Sequence, residues 1–281
     1  MDWLVAARQA AEQTPASTRV PLRAWRSADH LVEIGSIEPL LAERLHGAGL
    51  PLIRVAGGWT VVAPADGSLD ASLDAIARWL HHEGECRHWR DERLAVADPA
   101  GIVVGAVERA AVRALGIATV AVHLVGLAPD GRVWVQRRSA TKSTDPGLWD
   151  TLMGGQVAAG ESVQATLERE TIEEAGLQIA TLQDLERRPG LTVRRPVAEG
   201  YMVERIEVFR AVVPEGRVPE NRDGEVDAFD CLAESALREG LAAGAFTLEA
   251  SLILGAELER PVLGETPRQG GSGSGRPETL C

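Results

Sequence analysis

Aromatic side chains are scarce in this chain: one Tyr, three Phe and seven Trp make up 4% of 281 residues. Its interior must be built from Ala, Val, Leu and Gly, and a hydrophobic content of 45% suffices for one large or two modest domains. Lysine is scarcer still. Of 29 basic residues only Lys142 is a lysine; the arginine bias fits a GC-rich genome better than arginine-specific chemistry, and it singles Lys142 out. The three cysteines, Cys86, Cys231 and Cys281, are far apart and odd in number. That speaks against a disulfide framework and for a reducing compartment, so a cytoplasmic protein is expected. The opening MDWLVAARQAAEQTP lacks both a basic n-region and a long apolar run, so no signal peptide is expected. No apolar run reaches about 18 residues, so no membrane span is expected either. Positive charge is also short, with a formal net charge of -12 spread along the whole chain. This argues against nucleic acid or an anionic membrane as partner, and leaves open a small anionic ligand held by a local basic patch.

The first part, to about residue 112, alternates helical and extended patterns. Helices are predicted at MDWLVAARQAAE, at IEPLLAERLHGAG, at SLDASLDAIARWLHHEG and at VERAAVRALG, the last ending at Gly116. WTVVAP and ERLAVAD read as strands. From Ile117 the texture changes: IATVAVHLVGL and RVWVQRR flank the turn APDG as a hairpin. A strand near DTLMGGQV, a charged helix, the long strand GYMVERIEVFRAVVP and the short strand GEVDAFDCL follow. Helices at AESALREGLAAG and TLEASLILGAELER close the pattern, and the tail from Pro261, with GGSGSG, has linker composition.

The charged helix, Ser162 to Ala175, carries the chemistry. At about 100° per residue, Val163, Leu167 and Thr171 form an apolar row. Glu170 and Glu174 fall on the same stripe, with Glu173 on its shoulder. An amphipathic helix ordinarily keeps carboxylates off that line. Unpaired carboxylates buried there cost several kcal/mol each, so they require a counter-charge. One arginine is too little; divalent cations suffice, because Mg²⁺ takes oxygen ligands and shares its shell with waters and substrate phosphates. A solvated charge run is the ordinary fate of such a composition, but the spacing overrides it. G, five residues, E, seven residues, R, E, an aliphatic, any residue, E, E, any residue, G and an aliphatic are occupied by Gly155, Glu161, Arg169, Glu170, Glu173, Glu174, Gly176 and Leu177. By chance this is on the order of one in ten million windows. The single departure is Thr171 at the first aliphatic position.

This stretch resembles the box of the Nudix hydrolases. The resemblance implies hydrolysis of a diphosphate linked to some other moiety, by attack of water at phosphorus. It implies that Glu170, Glu173 and Glu174 hold Mg²⁺ or Mn²⁺ with one of them able to act as base. It further implies that Arg169 orients a catalytic glutamate, that Glu161 pairs with Arg169, and that the Gly154 carbonyl adds a ligand. Gly155 and Gly176 are structural in the motif. The expected fold class is α+β. It comprises a Nudix fold (a mixed β-sheet sandwiched by helices) over residues 113–260, a smaller α/β N-terminal domain over 1–112, and a flexible tail, 261–281. Nudix folds often pair, so a homodimer is allowed.

Around the box, Asp145-Pro146-Gly147-Leu148 fits a type II turn. Arg137, Arg138 and Lys142 are candidates for a cationic wall facing the carboxylates. Glu225, straight after an Asp-Gly turn, is the candidate for a further ligand or base, with Glu204 and Glu207 as rivals; a solvated strand edge is the plain alternative for all three. HHEGECRH gathers His81, His82, Cys86 and His88 without a standard zinc spacing, and closes a helix. Trp89 and Arg90 are expected to pack the N-terminal domain, with the substrate entrance as the alternative.

A second resemblance covers about 200 residues with less specific motifs: WRDERLAV, VERAAVRALGIATVAVHLVG, WVQRRSATKSTDPGLWDTLMGGQVAAGES and DGEV. These are similar to the Nudix branch fused to fungal thiamine pyrophosphokinases and found in plant plastids. That branch implies conversion of thiamine diphosphate, or its damaged forms, to the monophosphate and phosphate. The alternatives are another diphosphate-linked substrate such as ADP-ribose, isopentenyl diphosphate isomerase chemistry, and a non-catalytic Nudix-fold binding module. The isomerase relies on a cysteine in the strand before the helix, and DTLMGGQV has none; a binding module would have lost glutamates, and all are retained.

Overall fold

A computed structural model of the chain describes residues 2–27, 29–64, 68–142 and 144–259; the predicted tail lies outside them. After helix α1 (Asp2–Ala11) come strands β1 (Val20–Ser27) and β2 (His30–Ile37), helix α2 (Pro39–Gly47), strands β3 (Leu52–Val55) and β4 (Gly58–Val61) and helix α3 (Leu69–His82). The four strands form a sheet in the order β2-β1-β4-β3, with β1 and β4 parallel. Ser68 caps α3, its hydroxyl accepting from Ala71 N–H, and Leu73, Ile76 and Leu80 share a core with Leu22, Leu45 and Trp59. Strands β5 (Arg93–Ala97) and β6 (Val103–Glu108) make a separate hairpin.

The helix predicted at VERAAVRALG is replaced by the end of β6 and a single 3-10 turn, Arg109–Ala111. Val107 and Glu108 pair with Leu94 and Arg93 across the hairpin. The Glu108 carboxylate accepts from both Ala110 N–H and Arg90 N–H, so its oxygen serves a tight turn and a neighbouring loop rather than a continuing helix. Apolar residues at helical spacing were here spent on a strand and a turn.

The second sheet has the order β11-β12-β7-β8-β13, built from β7 (Ala118–Leu127), β8 (Val133–Arg138), β11 (Gln183–Val197), β12 (Gly200–Val212) and β13 (Val226–Leu232). Strand β9 (Trp149–Asp150) adds to β8, and β10 (Met153–Gln156) adds to β7. β7 and β12 run parallel, and β7 is largely buried on both faces, as its mainly apolar sequence requires. One face packs on α4 (Val163–Ala175) through Val122, Leu124 and Leu167; the other packs on α5 (Glu234–Ala242) and α6 (Leu248–Leu258) through Val125, Leu237 and Ile253. β11, which the sequence pattern did not reveal, is a 15-residue edge strand carrying Pro189 and Pro196 and mostly exposed or half-buried charge. Edge strands need no apolar alternation, and they tolerate proline. Helix α1 joins this second core: Ala7 and Ala11 cluster with Phe246 and Ile253, and Leu4 lies against Gly255. The core of the first sheet runs on through Leu115 and Ile117. Among the described residues no helix is long and apolar enough to cross a membrane.

Leu4→Ala removes a fully buried contact between α1 and α6, and urea unfolding should show it destabilised by about 2–5 kcal/mol. A loss under about 0.5 kcal/mol would mean that α1 is peripheral to the second core.

Candidate active site

Ser162 starts α4, its hydroxyl accepting from Ala165 N–H at 3.1 Å, and Gly176 ends it in the left-handed region at φ 64°. A Cβ at Gly176 would meet the Glu220 carbonyl at 2.7 Å, so this glycine is also a close approach. Thr171, the departure from the box, is buried and donates its hydroxyl proton to Leu167 O at 2.6 Å. Its polar atom is thereby satisfied within the helix.

On this helix Glu174 is only 1% exposed. Its Oε2 accepts from Gln136 Nε2 at 2.8 Å and from Gly154 N–H at 3.0 Å, while Lys142 Nζ stands 3.5 Å from its Oε1. Burial pushes this carboxyl above its ordinary range, against the pull of Lys142 and the Gly154 amide. Glu170, one turn back, is raised to about 7 by burial first and by the charge of Glu174 second. Its carboxylate presses on Gly155, where a Cβ would come within 2.2 Å of Glu170 Cδ. Any residue with a side chain at 155 would evict it.

Arg169 fixes the outer half. Glu161 receives it bidentately, Arg169 Nε to Oε1 at 2.9 Å and Nη2 to Oε2 at 2.8 Å. Its Nη1 then donates to Glu170 Oε1 at 2.9 Å and to Glu173 Oε2 at 3.0 Å. The arginine holds Glu161 down to about 2, and the three carboxylates raise the arginine. Glu173 has its side chain 45% exposed and stands at the rim.

The cleft beside Glu170 and Glu174 encloses about 150 Å³ and is lined by residues of the second sheet, α4 and α6, with Arg90, Arg109 and Arg113 added from upstream. Lys142 and Arg138 line it, but Arg137 does not. Strand alternation turns Arg137 outward, where its guanidinium lies 5.9 Å from the centre of the Trp149 ring. The predicted cationic wall thus loses one member. Arg138 donates to Thr144 O and, at 3.4 Å, to Asp150 Oδ2. Asp145 and Leu148 close the expected turn, Leu148 N–H donating to Asp145 O at 3.4 Å with Gly147 at φ 75°.

Glu225 lies on the cleft, paired with Lys142; burial works upward on it, but the Lys142 ammonium outweighs this and its carboxyl titrates below the ordinary value. Its rival Glu204 is buried in the cleft, accepting from Thr119 Oγ1 at 2.9 Å and Gln156 Nε2 at 2.7 Å. Glu207, of opposite parity on β12, is engaged by Arg187 and Arg205 away from it. Arg90 lines the cleft, whereas Trp89 packs on the first core and against His81. His81 Nδ1 is hydrogen-bonded to Cys86 O, and Cys86 is buried.

Among the cleft residues that escaped the sequence reading are Arg109, Arg113 and Arg195, and three largely buried titratable groups. His123 is buried on β7, its Nδ1 2.9 Å from Thr151 Oγ1, and burial lowers its pKa. Its signal was a lone polar residue in an apolar strand. Asp150, also buried, sits 3.6 Å from His123 Nδ1. Glu249, in the first turn of α6, is raised to about 7 by burial and by Glu204. An acid in a helix's first turn is so ordinary that nothing marked it.

Among the described residues no three His, Cys, Asp or Glu side chains converge as a closed metal cage. Magnesium does not ask for one: it binds through one or two carboxylates and completes its shell with water and phosphate. A carboxylate pair raised chiefly by burial, beside a glycine that leaves it room, is a donor set of that kind.

A model of the NUDIX domain matches residues 118–250, so this segment is similar to that domain. The chain is 28% identical over 179 residues to an uncharacterized protein of Saccharomyces cerevisiae, covering 56% of this chain and 52% of that protein. It is 36% identical over 128 residues to the chloroplastic Nudix hydrolase 24 of Arabidopsis thaliana, covering 44% of this chain and 34% of the relative. The chain therefore spans about half or less of the length of these relatives. Among solved structures, DR0079 from Deinococcus radiodurans aligns with a TM-score of 0.49 and 22% identity, over 60% of this chain and all of that one.

A carboxyl held at about 2 contributes stability that is complete above its unfolded value and lost as pH falls toward 2. Wild type should therefore exceed Glu161→Gln in urea stability by a constant margin above about pH 5, shrinking between pH 4.5 and pH 2. A margin independent of pH would disprove the Arg169 clamp.

Proposed function

We propose that this chain hydrolyses a phosphoanhydride bond of a small organic diphosphate, with Mg²⁺ or Mn²⁺ as resident cofactor. The observation that carries the reading is the buried pair Glu170 and Glu174, raised together beside Gly155. Glu170 and Glu174 would hold the cation, with Glu173 and the Gly154 carbonyl within the same motif. Bound there, it supplies positive charge to the diphosphate oxygens and to the attacking water.

The protein's own groups do the rest. Arg169, clamped by Glu161, keeps Glu170 and Glu173 in a fixed orientation. Glu225 is ionised at neutral pH and takes the proton of the attacking water; water oxygen bonds to phosphorus as the anhydride P–O bond breaks, and phosphate leaves. Lys142 neutralises Glu174 until substrate arrives and then is available to a phosphate oxygen. Burial of His123 and Asp150 keeps that part of the cleft polar but fixed, a preorganised wall rather than a solvated one.

The substrate we favour is thiamine diphosphate or a damaged analogue, cleaved to the monophosphate in the cytoplasm. Its support is the similarity of WRDERLAV, of the stretch from WVQRR to GES and of DGEV to the thiamine-associated branch. Residues of the box bind what all diphosphates share, so the leaving group is decided elsewhere in the cleft.

Glu174→Gln should fold as wild type and lose turnover by about 100-fold or more. Undiminished phosphate release by that variant would refute the assignment. Released phosphate should also be compared across thiamine diphosphate, ADP-ribose and nucleoside triphosphates with Mg²⁺ or Mn²⁺. Thiamine diphosphate should lead, and a wide lead for ADP-ribose would overturn the substrate while leaving the hydrolysis intact.

A further inference from the structure

Among the described residues six cationic side chains line the cleft: Arg90, Arg109, Arg113, Arg138, Lys142 and Arg195. Three of them precede residue 118, where the NUDIX match begins. An adjoining recess of about 80 Å³ continues the same wall, with Arg87 and His88 added and Glu199 as its one acid. In a chain of net charge -12 the recess is a concentrated basic surface, and it joins a cleft whose other side carries acids, Glu170, Glu174, Glu204 and Glu225 among them.

Of the downstream cations, Arg195 stands 4.0 Å from Glu249 deep in the cleft, and the others are committed elsewhere. Arg137 rests on Trp149, Arg138 is bonded to Thr144 O and Asp150, and Lys142 stands between Glu174 and Glu225. Arg113 is held more loosely than Arg109, its guanidinium only reaching 4.0 Å from Glu199. Arg109 donates to Glu92 at 2.7 Å and is close enough to Glu225 to lower its pKa.

The backbone holds these residues in place. Ala159 N–H, in the box loop, donates to Arg93 O at 2.7 Å, and Leu94 bridges to Ala158. Tyr201 N–H on β12 donates to Arg113 O at 3.0 Å. The upstream hairpin is thus stitched to the loop that leads into α4, and the backbone that carries Arg109 and Arg113 is anchored beside the cleft.

We propose that Arg109 and Arg113, from upstream of the NUDIX match, form the phosphate-binding wall of this cleft, so that the upstream unit is part of the active site. The inference rests on the diphosphate reading above. Two guanidiniums beside two carboxylates place the substrate's anionic oxygens between opposite charges: the carboxylates with their cation on one side, the arginines on the other. Arginine suits the task because its planar fork matches phosphate oxygens in pairs.

The test uses the full chain with Mg²⁺ and methylenediphosphonate, an anhydride mimic that cannot be hydrolysed. Its affinity is measured by calorimetry for wild type, Arg109→Gln, Arg113→Ala, the double variant and Arg137→Ala, each checked by thermal melting. Each upstream substitution should weaken binding by about tenfold or more, the scale of a lost charge-assisted hydrogen bond. KM for the diphosphate substrate should rise in parallel while kcat stays within about threefold of wild type. Arg137→Ala should match wild type. Should Arg109→Gln melt early through loss of Glu92, Arg113→Ala alone decides, since little structure depends on it. A folded Arg113→Ala or double variant that binds as wild type overturns the proposal, as does a wild type that does not bind the diphosphonate. If diphosphonate affinity falls as expected but wild type turns over no diphosphate, the wall stands and the hydrolysis fails; unchanged affinity with intact turnover gives the reverse.

Discussion

Two carboxylates one helical turn apart, both withdrawn from water, are the constraint around which the second half of this chain is arranged. Glu170 and Glu174 repel each other, and burial opposes the charge of each. Left alone, such a pair would destabilise the helix that carries it. The surroundings answer that demand from several directions. Gln136 on β8 and the amide of Gly154 on β10 bond one acid, Arg169 bonds the other, and Lys142 supplies a charge across the cleft. Gly155 contributes by having no side chain. Sheet, helix and loop are thus fitted to a charge problem that the fold itself does not need.

Much of this was legible in the sequence because the requirement is local. A helix fixes which residues share a face, so the intervals among Glu161, Arg169, Glu170, Glu173 and Glu174 already implied an acidic edge needing compensation. The pairing of Glu161 with Arg169 was implied by the resemblance, and the turn at Asp145 follows from short-range geometry. What the sequence hid depends on distant pairings. Arg137 looked equivalent to Arg138 until strand parity turned it onto Trp149. Glu249 and Arg113 reach the cleft only because α6 and the upstream hairpin are folded against it. The predicted helix at VERAAVRALG failed for the same reason: cross-strand pairing with β5 and the Glu108 carboxylate decided its conformation. β11 was invisible because an edge strand bears little apolar pattern.

The chain's two sheets are not independent of its chemistry. Helix α1 begins the chain yet completes the second core, and the β5–β6 hairpin docks on the loop before α4. The cleft is consequently bounded by residues far apart in sequence, from Arg90 to Glu249. On the proposed function, the box would take the diphosphate and residues outside it would discriminate what is attached.

The most direct measurement is an anomalous-scattering map of crystals soaked in Mn²⁺. The account predicts a peak about 2.0–2.3 Å from carboxylate oxygens of Glu170 and Glu174, with the Lys142 ammonium moved off Glu174. A map with no peak there, and Lys142 still against Glu174, would contradict it.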